Sequence, residues 1–202
     1  MIILPAIDIK DRTPVRLYQG SFDTVHQVAA DALETARQFE AAGAEWIHMV
    51  DLDGACEGHP VNEDIFLSVA KETSLKVELG GGIRTTADFD RVLKCGADKV
   101  SVNSGALKDP GLIPAAAQRY GNQCVVLSAD VKRVDGQFRV FAKGGREDTG
   151  RDALDWISWC VDHGAGEICL NSIDTDGVRS GFDLEMLDAV AARVNVPIIA
   201  SG

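Results

Sequence analysis

Two aspartates stand at the ends of apolar runs. One closes Ile2-Ile3-Leu4-Pro5-Ala6-Ile7-Asp8 and the other Val125-Val126-Leu127-Ser128-Ala129-Asp130. A run of this kind reads as a strand covered on both faces. A carboxylate at the C-terminal end of such a strand sits where α/β enzymes place their chemistry. Two carboxylates in matching places suit acid–base work on one substrate, one giving a proton while the other removes one.

A second set of residues suits anion binding. In Gly80-Gly81-Gly82, between a predicted strand and helix, the backbone N–H groups can approach a phosphate closely. Asn103-Ser104-Gly105, after the next predicted strand, would complete that cradle, and Ala200-Ser201-Gly202 opens a second one. Asp176-Gly177 and Gly144-Gly145 would line the same rim. Two phosphate sites flanking two acids imply an elongated substrate with a phosphate at each end.

These residues need a scaffold that brings strand ends to one rim. After Asp8 a polar loop is expected over 10–28, then a helix over 31–42 with Leu33, Ala36 and Phe39 inward and Gly43 ending it. A strand over 46–50 leads to Asp51-Leu52-Asp53-Gly54. Asn62 is expected to cap a helix with Ile65, Phe66 and Val69 inward. Strands are predicted over 76–79, 99–102 and 125–130, with helices over 86–93 and 110–120.

From there the pattern restarts. Asp152-Ala153-Leu154 echoes Asp31-Ala32-Leu33, Gly164-Ala165 echoes Gly43-Ala44, Asp174 echoes Asp53, Asp183 echoes Asn62 and Gly202 echoes Gly81, each 121 positions on. Asp8 and Asp130 are 122 apart. Register held over so many elements indicates a duplicated (βα)4 unit, and two such units make a TIM (β/α)8 barrel. The expected organisation is one α/β barrel domain over 1–202, with half-barrels 1–121 and 122–202. Asp8 and Asp130 are expected to face each other across its rim. The repeat gives seven strands and six following helices, so the barrel is expected to be truncated after its seventh strand.

Composition narrows the function classes. The 202 residues are 46% hydrophobic and 25% charged, as in a globular domain with a sizeable core. A net charge of −11 argues against nonspecific nucleic-acid binding through a basic face. Phosphate must then be held by backbone amides and a few cations. The five cysteines have no paired spacing and read as reduced core residues of a cytoplasmic protein. No signal peptide or membrane span is read, and the four histidines form no metal-ligand pair, His48 reading as structural. No cofactor is expected.

At these residues the chain resembles the two sister barrels of histidine biosynthesis. LPAIDIKD, VRLYQG, GAEWIHMVDLDGA and KVELGGGIR, in residues 1–84, resemble the phosphoribosylformimino-aminoimidazole carboxamide ribotide isomerase. DFDRVLKCGADKVSVNSGA, GNQCVVLSADVKR, FAKGGREDTG and NSIDTDGVRSGFDLE, in residues 85–202, resemble the cyclase subunit of imidazole glycerol phosphate synthase. The resemblance implies catalytic roles for Asp8 and Asp130 in either family and a bisphosphorylated ribotide as substrate. Phosphate or substrate contacts are expected at Gly81, Gly82, Asn103, Ser104, Asp176, Gly177 and Gly202, and at Arg16. The first-loop lysine of the cyclase aligns with Arg16, which keeps the charge but does not readily release a proton. The cyclase is the first assignment; the isomerase and an inactive truncated hybrid are the alternatives. A cyclase implies a glutaminase partner that delivers ammonia through a charged gate. Lys99 and Glu167 match two gate positions, while Ile2 and Trp46 occupy the other two.

Overall fold

The computed structural model describes residues 2–18 and 21–202, with backbone alone for 17, 18 and 21–25. Part of the VRLYQG motif, Gln19 and Gly20, therefore lies outside the described residues. The chain forms two compact units, 1–16 with 25–101 and 17–24 with 102–202.

The elements of the first part of the chain are β1 (Ala6–Lys10), β2 (Thr13–Tyr18), β3 (Ser21–Gln27), α1 (Ala32–Ala41), β4 (Trp46–Asp51), α2 (Leu52–Glu57), α3 (Glu63–Glu72), β5 (Lys76–Gly80), α4 (Thr86–Lys94) and β6 (Lys99–Val102). Strands β1, β4, β5 and β6 pair in parallel, in that order. Ile47, Met49, Val77, Leu79 and Val100 are fully or almost fully buried. On the helices Ala36, Phe66, Val69, Phe89 and Val92 are likewise buried. This is the α/β pattern expected when helices cover parallel strands.

The elements that follow are α5 (Ser104–Lys108), α6 (Leu112–Tyr120), a 3-10 turn (Asn122–Cys124), β7 (Val125–Val134), β8 (Gln137–Ala142), β9 (Glu147–Asp152), α7 (Ala153–Asp162), β10 (Glu167–Ser172), α8 (Leu184–Ala191) and β11 (Ile198–Ser201). Strands β7, β10 and β11 pair in parallel, and β7, β8 and β9 form an antiparallel ribbon.

The two parts repeat each other in their bonds. Asp31 and Asp152 cap α1 and α7 by accepting the N–H of Glu34 and Asp155. The Asp11 N–H donates to Asp53 Oδ2 over 2.9 Å, and the Arg133 N–H donates to Asp174 Oδ2 over the same distance. Arg12 grips Asp64 with both terminal nitrogens, as Arg133 grips Glu185. An antiparallel strand follows both β1 and β7, across turns at Asp11-Arg12 and Asp135-Gly136 in which all four residues have positive φ. Such turns match the twist of a tight hairpin.

Several local expectations need correction. Residues 10–28 are largely strand rather than loop, because β2 supplies β1 with backbone partners. The helix expected over 110–120 begins at Leu112, after the separate short helix α5. Asn62 precedes α3 without capping it through its side chain, which is committed to Asp51 and Asp53 instead. Ile65 is only half-buried. All five cysteines are free, but Cys56 is exposed, so it is no core residue.

Candidate functional site

Asp130 lies within β7, opposite Asn171 of β10 in register. Asn171 Nδ2 donates to Asp130 Oδ1 over 3.0 Å, and Asn103 Nδ2 donates to Asp130 Oδ2 over 2.8 Å. Each carboxylate oxygen thus has its own amide donor. Burial raises the Asp130 carboxyl above its ordinary range; the amides of Asn171 and Asn103 pull it back, and the charge of Asp176 adds to the rise. A carboxyl kept protonated to higher pH is suited to proton donation.

The expected phosphate-binding residues of this unit gather nearby. Asn103 also donates to the Phe141 carbonyl over 3.2 Å, and its Oδ1 is buried with no hydrogen-bond partner among the described residues. Ser104 Oγ accepts the Lys143 N–H over 2.9 Å, leaving its own hydrogen available to an anion. Thr175 and Asp176 turn back on the Ser172 carbonyl, and Gly177 follows. Gly202 packs on Ser172 as well, at φ +114°, with no room there for a side chain. The sequence reading missed Asn171, although it opens the NSIDTDG motif and its register opposite Asp130 follows from aligning the two strands.

In the other unit, Asp8 is half-buried on β1, paired in register with Val15 of β2 and Val50 of β4. Val15 is buried whereas Arg16 is exposed, so strand alternation puts Arg16 on the face opposite to that of Val15 and Asp8. Gly81 has φ +102°, and a side-chain carbon there would overlap the Asp51 backbone; at Gly82 it would come within 2.7 Å of the Gly54 and His59 carbonyls. Both positions let the chain run close over the loop after β4.

That loop is organised by Asp51, which is fully buried. Its carboxylate accepts the N–H groups of Gly54, Val61 and Asn62 and the side-chain amide of Asn62, over 2.7–3.0 Å. Asp53 accepts from Asn62 and from the Asp11 backbone. The sequence reading gave Asp51 no such role.

The gate positions show a cation–π cluster. Lys99 Nζ lies 4.5 Å and Lys76 Nζ 5.3 Å from the centroid of the Trp46 ring. Glu167 begins β10. Among the described residues no helix is long and apolar enough to cross a membrane.

A family model described as histidine biosynthesis protein matches residues 2–202. Imidazole glycerol phosphate synthase subunit HisF of Streptococcus sanguinis is 44% identical over 202 residues, covering 99% of this chain and 79% of that protein. The subunits of the same name from Caulobacter vibrioides and Thermobifida fusca are 42% and 41% identical, again over 99% of this chain, and 76% and 79% of their own lengths are covered.

Proposed function

Because this chain belongs to the histidine biosynthesis protein family, we propose that it acts as the cyclase subunit of imidazole glycerol phosphate synthase. In that reaction the bisphosphorylated phosphoribosyl-formimino-aminoimidazole carboxamide ribotide reacts with ammonia; its second sugar phosphate and formimino carbon become imidazole glycerol phosphate, and aminoimidazole carboxamide ribotide departs. One group must give a proton to the departing nitrogen, and another must take protons from the incoming one. Asp130 is the donor in this reading, and Asp8 the acceptor. Asn103 and Asn171 orient Asp130. Gly81 and Gly82, and Asn103, Ser104, Asp176, Gly177 and Gly202, contribute backbone and side-chain contacts to phosphate and substrate.

The observation that carries the reading is the Asp130 carboxyl, held by an amide at each oxygen and raised by burial. The partner is a glutaminase subunit that supplies ammonia. The test is turnover of the ribotide by the purified protein with ammonium salts, followed by the appearance of imidazole glycerol phosphate. Absence of that product, with the parent active and Asp8→Asn and Asp130→Asn inactive in an isomerase assay, would move the assignment to the isomerase. The isomerase is the second reading because Trp46, at a gate position, is an aromatic ring beside two lysines rather than a charged side chain. Under it Asp130 protonates the ribose ring oxygen and Asp8 removes the C2 proton.

A further inference from the structure

Across β1, β4, β5 and β6 the register sets Ala6 beside His48, His48 beside Glu78 and Glu78 beside Lys99. Register partners project from the same face of a sheet, and residues two apart on one strand share that face. Asp8 therefore belongs to the same face, one step further along β1. The row alternates in charge: carboxylate at Asp8, imidazole at His48, carboxylate at Glu78, ammonium at Lys99.

Glu78 is the odd member of its strand. It lies between Val77 and Leu79 and is 1% exposed, in a place where an apolar side chain is the default. A carboxylate is costly there unless a charge answers it. His48 Nδ1 lies 3.0 Å from Glu78 Oε1, close enough for an ion pair but off the line of a well-formed hydrogen bond. A contact of that kind depends on charge more than on alignment.

We infer that Glu78 is a positioning residue that holds His48 as a cation on the face carrying Asp8, so that the Asp8 carboxylate stays aimed as a base. This rests on the reading of Asp8 as the proton acceptor. The groups facing His48 agree with it. Burial alone would lower the imidazole, but Glu78 on one side and Asp8 on the other outweigh burial and leave it raised. Lys99 faces Glu78 from β6 and lies over Trp46, one step down β4 from His48. The sign follows: the cation is complete below the ordinary imidazole value of about 6.5 and is lost as pH rises through the raised value.

The test follows the His48 ring protons by NMR titration of the whole chain, the resonance being assigned by its disappearance in His48→Gln. In the parent, His48 is expected to titrate above about 6.5. In Glu78→Gln it should bind its proton at least about tenfold more weakly, and Asp8→Asn should shift it downward too. The alkaline limb of kcat with ammonium should move down by the same interval in Glu78→Gln and be restored in Glu78→Asp. A parent His48 titrating at or below the ordinary value overturns the inference, even if Glu78→Gln does not fold. So does an alkaline limb that stays in place while only the amplitude falls, since a merely structural Glu78 would give that. A protein without turnover defeats the proposed reaction instead, and the NMR result still decides the role of Glu78.

Discussion

A side-chain carbon on Gly202 would lie 2.6 Å from the carbonyl oxygen of Ser172. The same relation joins Gly81 to Asp51, 121 positions earlier, where the overlap is with the Asp51 backbone. Both glycines have φ near +110°. Two independent demands, a left-handed backbone and a close approach, fall on each, so neither position tolerates another L-residue without local rearrangement.

Gly81→Ala and Gly202→Ala should each lower stability by about 1–3 kcal/mol from backbone strain, before any steric displacement. For a chain of this size that is a fall in Tm of roughly 2–4 °C per kcal/mol, read by thermal unfolding. KM for the ribotide should rise in both variants, because the displaced backbone also carries the proposed phosphate contacts. Unchanged Tm and KM would remove both glycines from the site.

Asp130→Asn should reduce turnover by about 10²- to 10⁴-fold, the usual contribution of a positioned proton donor. At neutral pH two effects on stability oppose: a buried charge is removed, but one of the amides of Asn103 and Asn171 loses its acceptor, because asparagine offers a single oxygen. The folded-state value of Asp130 is raised, so the folded protein binds that proton more tightly than the unfolded chain. The associated stability is present below the ordinary carboxyl value and is lost as pH climbs through the raised one. Removing the charge relieves this at pH 7, and the relief should shrink as pH falls toward about 4. Thermal unfolding of parent and variant across pH measures it; a stability difference that does not change between pH 7 and about pH 4 would speak against the raised carboxyl.

Glutamine-driven turnover with a glutaminase subunit should be weaker than turnover driven by ammonium salts. The reason is the Trp46 ring beside Lys76 and Lys99 at the proposed entrance. Trp46→Glu should raise the glutamine-driven rate relative to the ammonium-driven one. Comparing the two rates in parent and variant checks this, and efficient glutamine coupling in the parent would refute it.

The thiols should separate by reactivity. Cys56 is exposed and should label quickly in native buffer. Burial pushes Cys160 up to about 12, with Arg151 drawing it only partly back, so it should label only on unfolding. Mass-resolved labelling in native and denaturing buffer distinguishes them. Rapid native labelling of Cys160 would contradict its burial.

Much of this was legible because it depends on one residue at a time. Asp31, Asp152 and Asp183 announce their helices as caps, and all three accept the expected backbone N–H. The run before Asp130 announces its strand, but β7 continues past Asp130 to Val134. Of the run before Asp8 only Ala6 onward is strand, Asp8 lies inside it, and Ile2 and Ile3 are exposed rather than covered. The duplication was legible from spacing, and its structural counterpart is the pair of bonds from Asp11 to Asp53 and from Arg133 to Asp174. What escaped depends on partners distant in sequence. Strand β9, Glu147–Asp152, contains no apolar residue and is a strand only because β8 supplies its backbone partners. Turn residues Asp11 and Arg12 lack the glycine that usually marks such a hairpin. Asn171 beside Asp130, and Glu78 beside His48, owe their contacts to the strand alongside, which no local pattern reveals.

The duplicated frame carries an unduplicated tether. The Asp51 carboxylate gathers the loop after β4 to a single buried point, so opening that loop must uncover a charge and free four donors together. Its repeat mate is Ser172, which has no carboxylate and whose carbonyl accepts the N–H groups of Thr175 and Asp176, with Val178 and Phe182 beyond them exposed. The two loops are therefore tied differently: one is gathered on a single buried carboxylate, the other on a carbonyl and on the bond from Asp174 to the Arg133 N–H.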